Sequence, residues 1–160
     1  MMNSKNKMDM YDPLSDSFKR SEFPFYWIAQ LNALYTQEME RLLKRVDMDV
    51  PRWRIIMILK EHSELSMSEI ASHAVAKLPT TTKIVYRMRD EGLVNLITSP
   101  DDGRVTLVSL TSKGLESLEL IRDSVKNLFR NSFKGLSSAQ IQRTNVLLAK
   151  LYDNLNSHTG

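Results

Sequence analysis

Between Pro79 and Thr111 the chain reads PTTTKIVYRMRDEGLVNLITSPDDGRVTLVSLT, and most of its chemistry sits in a few side chains. Thr80, Lys83 and Arg87 recur at i, i+3 and i+7, which places them on one face of a helix, with Thr82 beside them. Two short hydroxyl side chains near a helix N-terminus suit phosphate oxygens or base edges, and the helix dipole adds attraction for anions. Thr80 is equally placed to assist the helix cap. Lys83 suits a phosphate. Arg87 suits a guanine edge or a phosphate, or it pairs with Glu91 at i+4. Arg104 follows the turn Pro100-Asp101-Asp102-Gly103 and can face a polyanion, Asp102, or both, since a braced guanidinium loses less entropy on binding.

These residues need a scaffold. Pro79 suits the start of a helix, and Gly92 suits the left-handed position just past its end. Thr81, Ile84, Val85 and Met88 form the inward face of that helix. Leu93, Val94, Leu96 and Ile97, then Val105, Leu107, Val108 and Leu110, read as two strands of a hairpin. A polar, basic helix followed by a basic hairpin is the layout of a winged helix-turn-helix, with the helix in the DNA major groove and the hairpin at the neighbouring backbone or minor groove. Upstream, Ser66 and Glu69 form a Ser-x-x-Glu capping box that opens a helix to about His73. Pro51 fits the first turn of a helix carrying Trp53, Ile55, Ile56, Met57, Ile58 and Leu59, apolar nearly all round and so expected at the centre of the core.

Long helices flank this unit. From Glu22 to Val46, Phe25, Ile28, Asn32, Tyr35, Met39, Leu42 and Val46 step by three and four, with Leu31, Leu34 and Leu43 widening the stripe. Thr111 is a plausible N-cap for a helix to about Ser132 bearing Leu115, Leu118, Ile121, Val125 and Leu128. Gly135 ends it, and Ser137 with Gln140 opens a last helix carrying Ile141, Leu148, Leu151 and Leu155. The expected fold is mainly α with a small β-hairpin wing. It divides into a mobile N-terminal arm over 1–21, a dimerisation and linking helix over 22–47, the winged helix-turn-helix over 48–110, and C-terminal dimerisation helices over 111–160. The flanking helices carry more apolar surface than one winged unit covers, so the two ends, and two chains, are expected to associate.

Composition sets outer bounds. With 160 residues, 42% hydrophobic and 26% charged, the chain has the makeup of one ordinary globular domain. It has no cysteine, which excludes disulfides, thiol redox sensing and Cys-ligated zinc. His62, His73 and His158 lack metal-ligand spacing and are expected at solvated positions, so neither a metal nor another cofactor is expected. No apolar run has the length of a membrane span, and the start lacks a signal-peptide core, so a cytoplasmic location with no membrane partner is expected. The net charge of +3 is too small for a nonspecific DNA coat, so basic residues must act by placement. The five glycines are isolated, and no phosphate loop, nucleophile elbow or His-Glu-x-x-His pair is present, so no catalytic residue is assigned and no enzyme is expected.

Several segments together resemble the MarR family (multiple antibiotic resistance regulators). Pro51-Arg52-Trp53-Arg54-Ile55-Ile56-Met57-Ile58-Leu59 resembles its second helix, and Ser68-Glu69-Ile70-Ala71 the opening of its helix-turn-helix. Thr80 to Met88 with Glu91-Gly92-Leu93-Val94 resembles its recognition helix and exit. Asp102-Gly103-Arg104, Leu107-Val108-Ser109-Leu110-Thr111 and Gly114 resemble its wing and the helix start behind it. The likeness spans about residues 22–156. It implies a homodimeric winged-helix DNA binder, most often a repressor released by a small molecule, acting on a pseudo-palindromic operator. Matching positions put Thr80, Thr82, Lys83 and Arg87 at double-stranded DNA and pair Asp102 with Arg104 to hold the wing. Two departures stand out: Gly103 where many members have a basic residue, and Val75 where glycine is common, which is expected to re-aim the following helix slightly.

The aromatics Tyr26, Trp27, Tyr35 and Trp53 suggest an effector pocket between the first, second and fifth helices, with Gln30 and Met57 among its residues and Arg54 or Arg20 as its cation. Such walls suit an aromatic carboxylic acid or a phenolic compound. Buried aromatics also simply fill cores, the safer reading for Trp53. Two other functions remain compatible with the sequence: an architectural DNA binder without an effector, and a protein-interaction module on the same fold.

Overall fold

The computed structural model describes residues 8–158. The first seven residues of the expected mobile arm lie outside that range. The chain forms two compact units, one through Ser124 and the other from Val125. In the first, helix α1 (Pro24–Leu43) continues into a 3-10 turn (Lys44–Val46), followed by α2 (Val50–His62), β1 (Glu64–Ser66), α3 (Met67–His73), α4 (Leu78–Asp90), β2 (Val94–Thr98), β3 (Thr106–Leu110) and the start of α5 (Ser112–Ser132). The second holds the end of α5 and helix α6 (Ser138–Ser157).

Local chemistry fixes most of the boundaries. Asp49 caps α2, accepting the Arg52 N–H at 2.9 Å, and Pro51 occupies the first turn, where its missing N–H costs nothing. Both capping boxes form: Ser66 with Glu69 on α3, and Ser137 with Gln140 on α6. Two hydrogen bonds from Ser66 hold the Glu69 carboxyl below its ordinary pKa. Thr111 caps α5, accepting the Gly114 N–H at 3.0 Å, and its own hydroxyl donates to the Gly92 carbonyl at 2.7 Å.

The sheet is larger than the expected hairpin. β3 pairs antiparallel with β2 on one side and with the three-residue β1 on the other, Leu65 facing Val108. The core under it is built from Met39, Leu43, Ile55, Ile56, Leu59, Ile70, Val85, Met88, Val94 and Val108, all essentially sealed from solvent. α2 is the central helix, although Met57 is exposed and Trp53 only half-buried. Only the C-terminal end of α1 reaches this core, while Trp27, Leu31 and Leu34 stay exposed. The end of the expected arm, Phe18 to Ser21, lies with Phe23 against the start of α1. The rings of Phe18, Phe23 and Phe25 stack edge to face at 5.4 Å, and the Trp27 indole donates to the Ser21 carbonyl at 2.8 Å.

Three helix ends close with the same pair of backbone bonds and a left-handed residue, the Schellman arrangement. After α4 that residue is Gly92 (φ 76), as its type requires. After the 3-10 turn it is Asp47 (φ 52). After α3 it is Val75 (φ 52), with the Val75 N–H on the Ser72 carbonyl and the Ala76 N–H on the Ala71 carbonyl. The turn into α4 thus keeps glycine-type geometry without glycine. A β-branched residue at positive φ is strained, and Val75, 91% exposed, has no packing to offset this. Val75→Gly is expected to stabilise the fold by about 1 kcal/mol, raising Tm by about 2–4 °C, after allowing for glycine's greater unfolded-state entropy. A thermal melt checks it, and an unchanged or lower Tm would mean that Val75 is not strained.

In the second unit, Gly135 (φ 82) ends the turn after α5. The α6 residues Val146, Leu147, Leu148, Tyr152 and Leu155 are all exposed, as are Phe133 and Leu136 before it.

Candidate nucleic-acid interface

Helix α4 rests on α2 and α3 through Thr81, Val85 and Met88, all at most 1% exposed. At about 100° per residue, the line directly opposite these three runs through Pro79, Lys83 and Asp90, with Tyr86 and Arg87 about 50° to either side of it. Lys83 is exposed on that line, and Thr80 and Arg87 lie on the flank nearer α2. Thr82 is half-exposed on the other flank, on the same side as Arg89. The cap position of α4 is Lys77, whose side chain makes no cap bond, so the helix N-terminus presents its amides beside Thr80 and Thr82.

Arg87 makes the i+4 pair its spacing allowed. Its Nε donates to Glu91 Oε1 at 2.8 Å, and its Nη1 lies 3.6 Å from Asp49 Oδ2. Behind it stands a group that the pattern of exposed polar residues did not suggest. Arg52, only 5% exposed, donates Nε to Asp49 Oδ2 (2.9 Å), Nη1 to Glu91 Oε2 (2.6 Å) and Nη2 to the Asp47 carbonyl (2.7 Å). Burial works against its charge, but the hydrogen bonds and charges of Glu91 and Asp49 outweigh it and raise the guanidinium pKa further. The sequence signal for the near half is Asp49-x-x-Arg52 at a helix start. The Glu91 half joins residues 39 apart and has no local signature.

In the wing, Asp102 Oδ1 accepts both the backbone N–H of Arg104 at 3.0 Å and its Nε at 3.3 Å. The Arg104 side chain is 92% exposed, so the brace leaves the guanidinium accessible. The Val105 N–H closes the loop on the Asp102 carbonyl at 2.9 Å.

The expected effector residues fall into two groups. At the start of α1, the Arg20 guanidinium lies 4.8 Å over the Tyr26 ring, which meets Trp27 edge to face. Trp27 and Gln30 also line a groove of about 430 Å³ along α1 with Leu31, Ala33, Leu34 and Gln37, all residues of that helix. Further along, Tyr35 and Trp53 are tilted at 6.3 Å. Burial raises the Tyr35 hydroxyl pKa against the opposing charge of Arg54, which itself donates to the Ala74 carbonyl at 3.3 Å. Arg20, Tyr26, Trp53, Arg54 and Met57 do not line the α1 groove. His62 and His73, expected at solvated positions, are both exposed, and their rings stack at 4.8 Å.

A basic helix braced on a three-stranded sheet with an arginine-tipped hairpin defines a winged-helix DNA-binding protein. The MarR family's sequence model matches residues 48–106. The HTH-type transcriptional repressor IacR of Pseudomonas putida is 54% identical over 145 residues, 91% of this chain and 87% of that protein. The chain therefore belongs to the MarR family and is a DNA-binding transcription regulator, not an enzyme. A MarR family regulator from Silicibacter pomeroyi superposes with a TM-score of 0.76 at 22% identity, covering 84% of this chain and 90% of that one. NadR in complex with 4-hydroxyphenylacetate superposes at 0.70 with 27% identity, covering 80% and 90%. Among the described residues, no helix is long and apolar enough to cross a membrane.

Proposed function

We propose that this protein is a homodimeric, cytoplasmic repressor that places α4 of each subunit in a major groove and is released by a small aromatic acid or phenol. The observation that carries the DNA reading is the outward side of α4. Lys83 stands opposite the buried face, Thr80 and Thr82 flank it at an open helix N-terminus, and Arg104 is held ready at the wing. Arg87 approaches from the flank, where Glu91 and Asp49 brace it and also compete with phosphate for it. The 54% identity to a repressor supports the direction of regulation. The exposed apolar side chains of α1 and α6 support a second copy as the partner, since a monomer leaves them in water. The two-fold axis then calls for half-sites about one helical turn apart, ~10 bp or a multiple.

For the effector, the support is the pairing of cations with aromatic rings, Arg20 on Tyr26 and Arg54 beside Tyr35 and Trp53, either of which offers a carboxylate a partner. Trp27 and Gln30 line the adjoining groove, and Met57 adds an exposed apolar contact on α2. The aromatic acid bound to NadR fits this class. Such a ligand acts by favouring a dimer shape in which the two α4 helices are wrongly spaced.

A footprint on the DNA flanking the protein's own gene, at near-physiological salt, tests the reading. A protected, two-fold-symmetric site supports it, and featureless coating favours an architectural protein. Absence of any binding favours an interaction module. Lys83→Ala is expected to weaken all sequences alike and to lower the slope of log affinity against log salt by about one. A changed sequence preference at constant slope would remove Lys83 from the phosphates.

A further inference from the structure

We propose that Tyr86 reads thymine methyl groups in the major groove and that Arg89 is the positioning residue that holds its ring for this. The inference rests on placing α4 in the groove. Tyr86 lies one turn beyond Lys83, about 50° from the outward line of α4 on the side away from Arg87, and is 41% exposed, although a tyrosine of a core-facing helix gains by burial. Its ring does not lie loose on the surface. The Arg89 guanidinium sits 4.8 Å from the ring centroid, a cation–π contact. Arg89 is in turn fixed by Asp90, whose Oδ1 accepts its Nε at 3.0 Å and its Nη2 at 2.7 Å. The same bonds neutralise Asp90, the acid on the outward line, so the line does not repel DNA through an unpaired carboxylate.

The arrangement is a rigid, partly apolar plate set among hydroxyls and cations. Hydroxyl and ammonium groups read or clamp polar edges, but the thymine C5-methyl group is an apolar feature of the groove and is recognised by apolar contact. An aromatic ring with two side-chain torsions makes that contact at small entropic cost, and the Arg89 brace lowers the cost further.

The test uses the full-length protein and the tightest duplex it selects from a random-sequence pool. Thymines are replaced one at a time by deoxyuridine, which removes only the methyl group. For the wild-type protein, one or two positions per half-site are expected to lose about fourfold in affinity. Tyr86→Ala is expected to weaken the thymine duplex about tenfold, to be indifferent to deoxyuridine at those positions, and to melt like the wild type because the ring is exposed. Tyr86→Phe should restore the methyl response. Arg89→Ala should reduce that response, and Arg89→Lys should recover part of it through the retained cation. Tyr86→Ala binding as tightly as the wild type, or keeping the full deoxyuridine profile, overturns the inference alone if Lys83→Ala still lowers the salt slope. If neither variant changes binding, or if the pool yields no preferred duplex, the placement of α4 in the groove fails with it.

Discussion

Replacing Arg52 with alanine is expected to destabilise the protein by about 2–4 kcal/mol, among the largest effects of any single polar substitution in the chain. The guanidinium joins three elements. It holds the carbonyl of Asp47 in the left-handed turn after α1, the carboxylate of Asp49 that caps α2, and the carboxylate of Glu91 that ends α4. Removing it takes this donor from all three, although Asp49 keeps the backbone N–H of residue 52 and both carboxylates keep Arg87. Breaking a fully buried pair costs about 3–5 kcal/mol, but Asp49 and Glu91 keep 39% and 30% exposure, and water screens part of the loss. Arg52→Lys separates charge from shape. An ammonium keeps the positive charge but cannot meet three acceptors in fixed fork geometry, so about half the loss should remain. Urea denaturation of the three proteins at neutral pH reads the result. If the lysine variant matches the wild type, only the charge matters and the forked geometry does not.

The same network explains what was legible in the sequence and what was not. Features set by residues three or four apart were readable, because their energetics are local. The capping boxes of Ser66 with Glu69 and Ser137 with Gln140 are examples, as are the Thr111 cap and the Arg87–Glu91 pair. Gly92 announced its left-handed turn by its type. Val75 did not, because the two backbone bonds of the Schellman turn, with Ala74 buried beside it, override its preference. β1 was invisible because a three-residue strand has no periodicity of its own and exists only through β3. The face of α4 was half readable. The spacing of Thr80, Lys83 and Arg87 defines one side, but only the burial of Thr81, Val85 and Met88 shows that Lys83 lies at its crest, with Tyr86 and Arg87 to either side. The aromatic residues were readable as a set, not as one pocket, because the turn of α1 separates the Tyr26–Trp27 pair from Tyr35 and Trp53.

A methyl group at position 114 is expected to cost about 2–4 kcal/mol, although alanine favours helix over glycine by about 1 kcal/mol. Gly114 sits in the first turn of α5, where an added Cβ would lie 2.2 Å from the Leu93 carbonyl oxygen and 3.2 Å from Leu110 Cδ2. That oxygen belongs to the backbone between α4 and β2 and cannot swing aside as a side chain would. It also accepts the Thr111 N–H at 3.1 Å, and the Thr111 hydroxyl holds the Gly92 carbonyl next to it. To make room, α5 must lift from the exit of α4, and these bonds stretch at about 1 kcal/mol each on top of the steric strain. Gly114→Ser should behave like Gly114→Ala, since any Cβ meets the same oxygen. Gly103→Ala at the wing tip should be close to neutral, because nothing lies within 4 Å of its added carbon. Thermal and urea unfolding of the three variants separates the close approach at Gly114 from a general intolerance of the wing. Equal stability of Gly114→Ala and the wild type would mean that α5 yields at this contact, and a clear loss places the junction of recognition helix, wing and α5 among the rigid points of the fold.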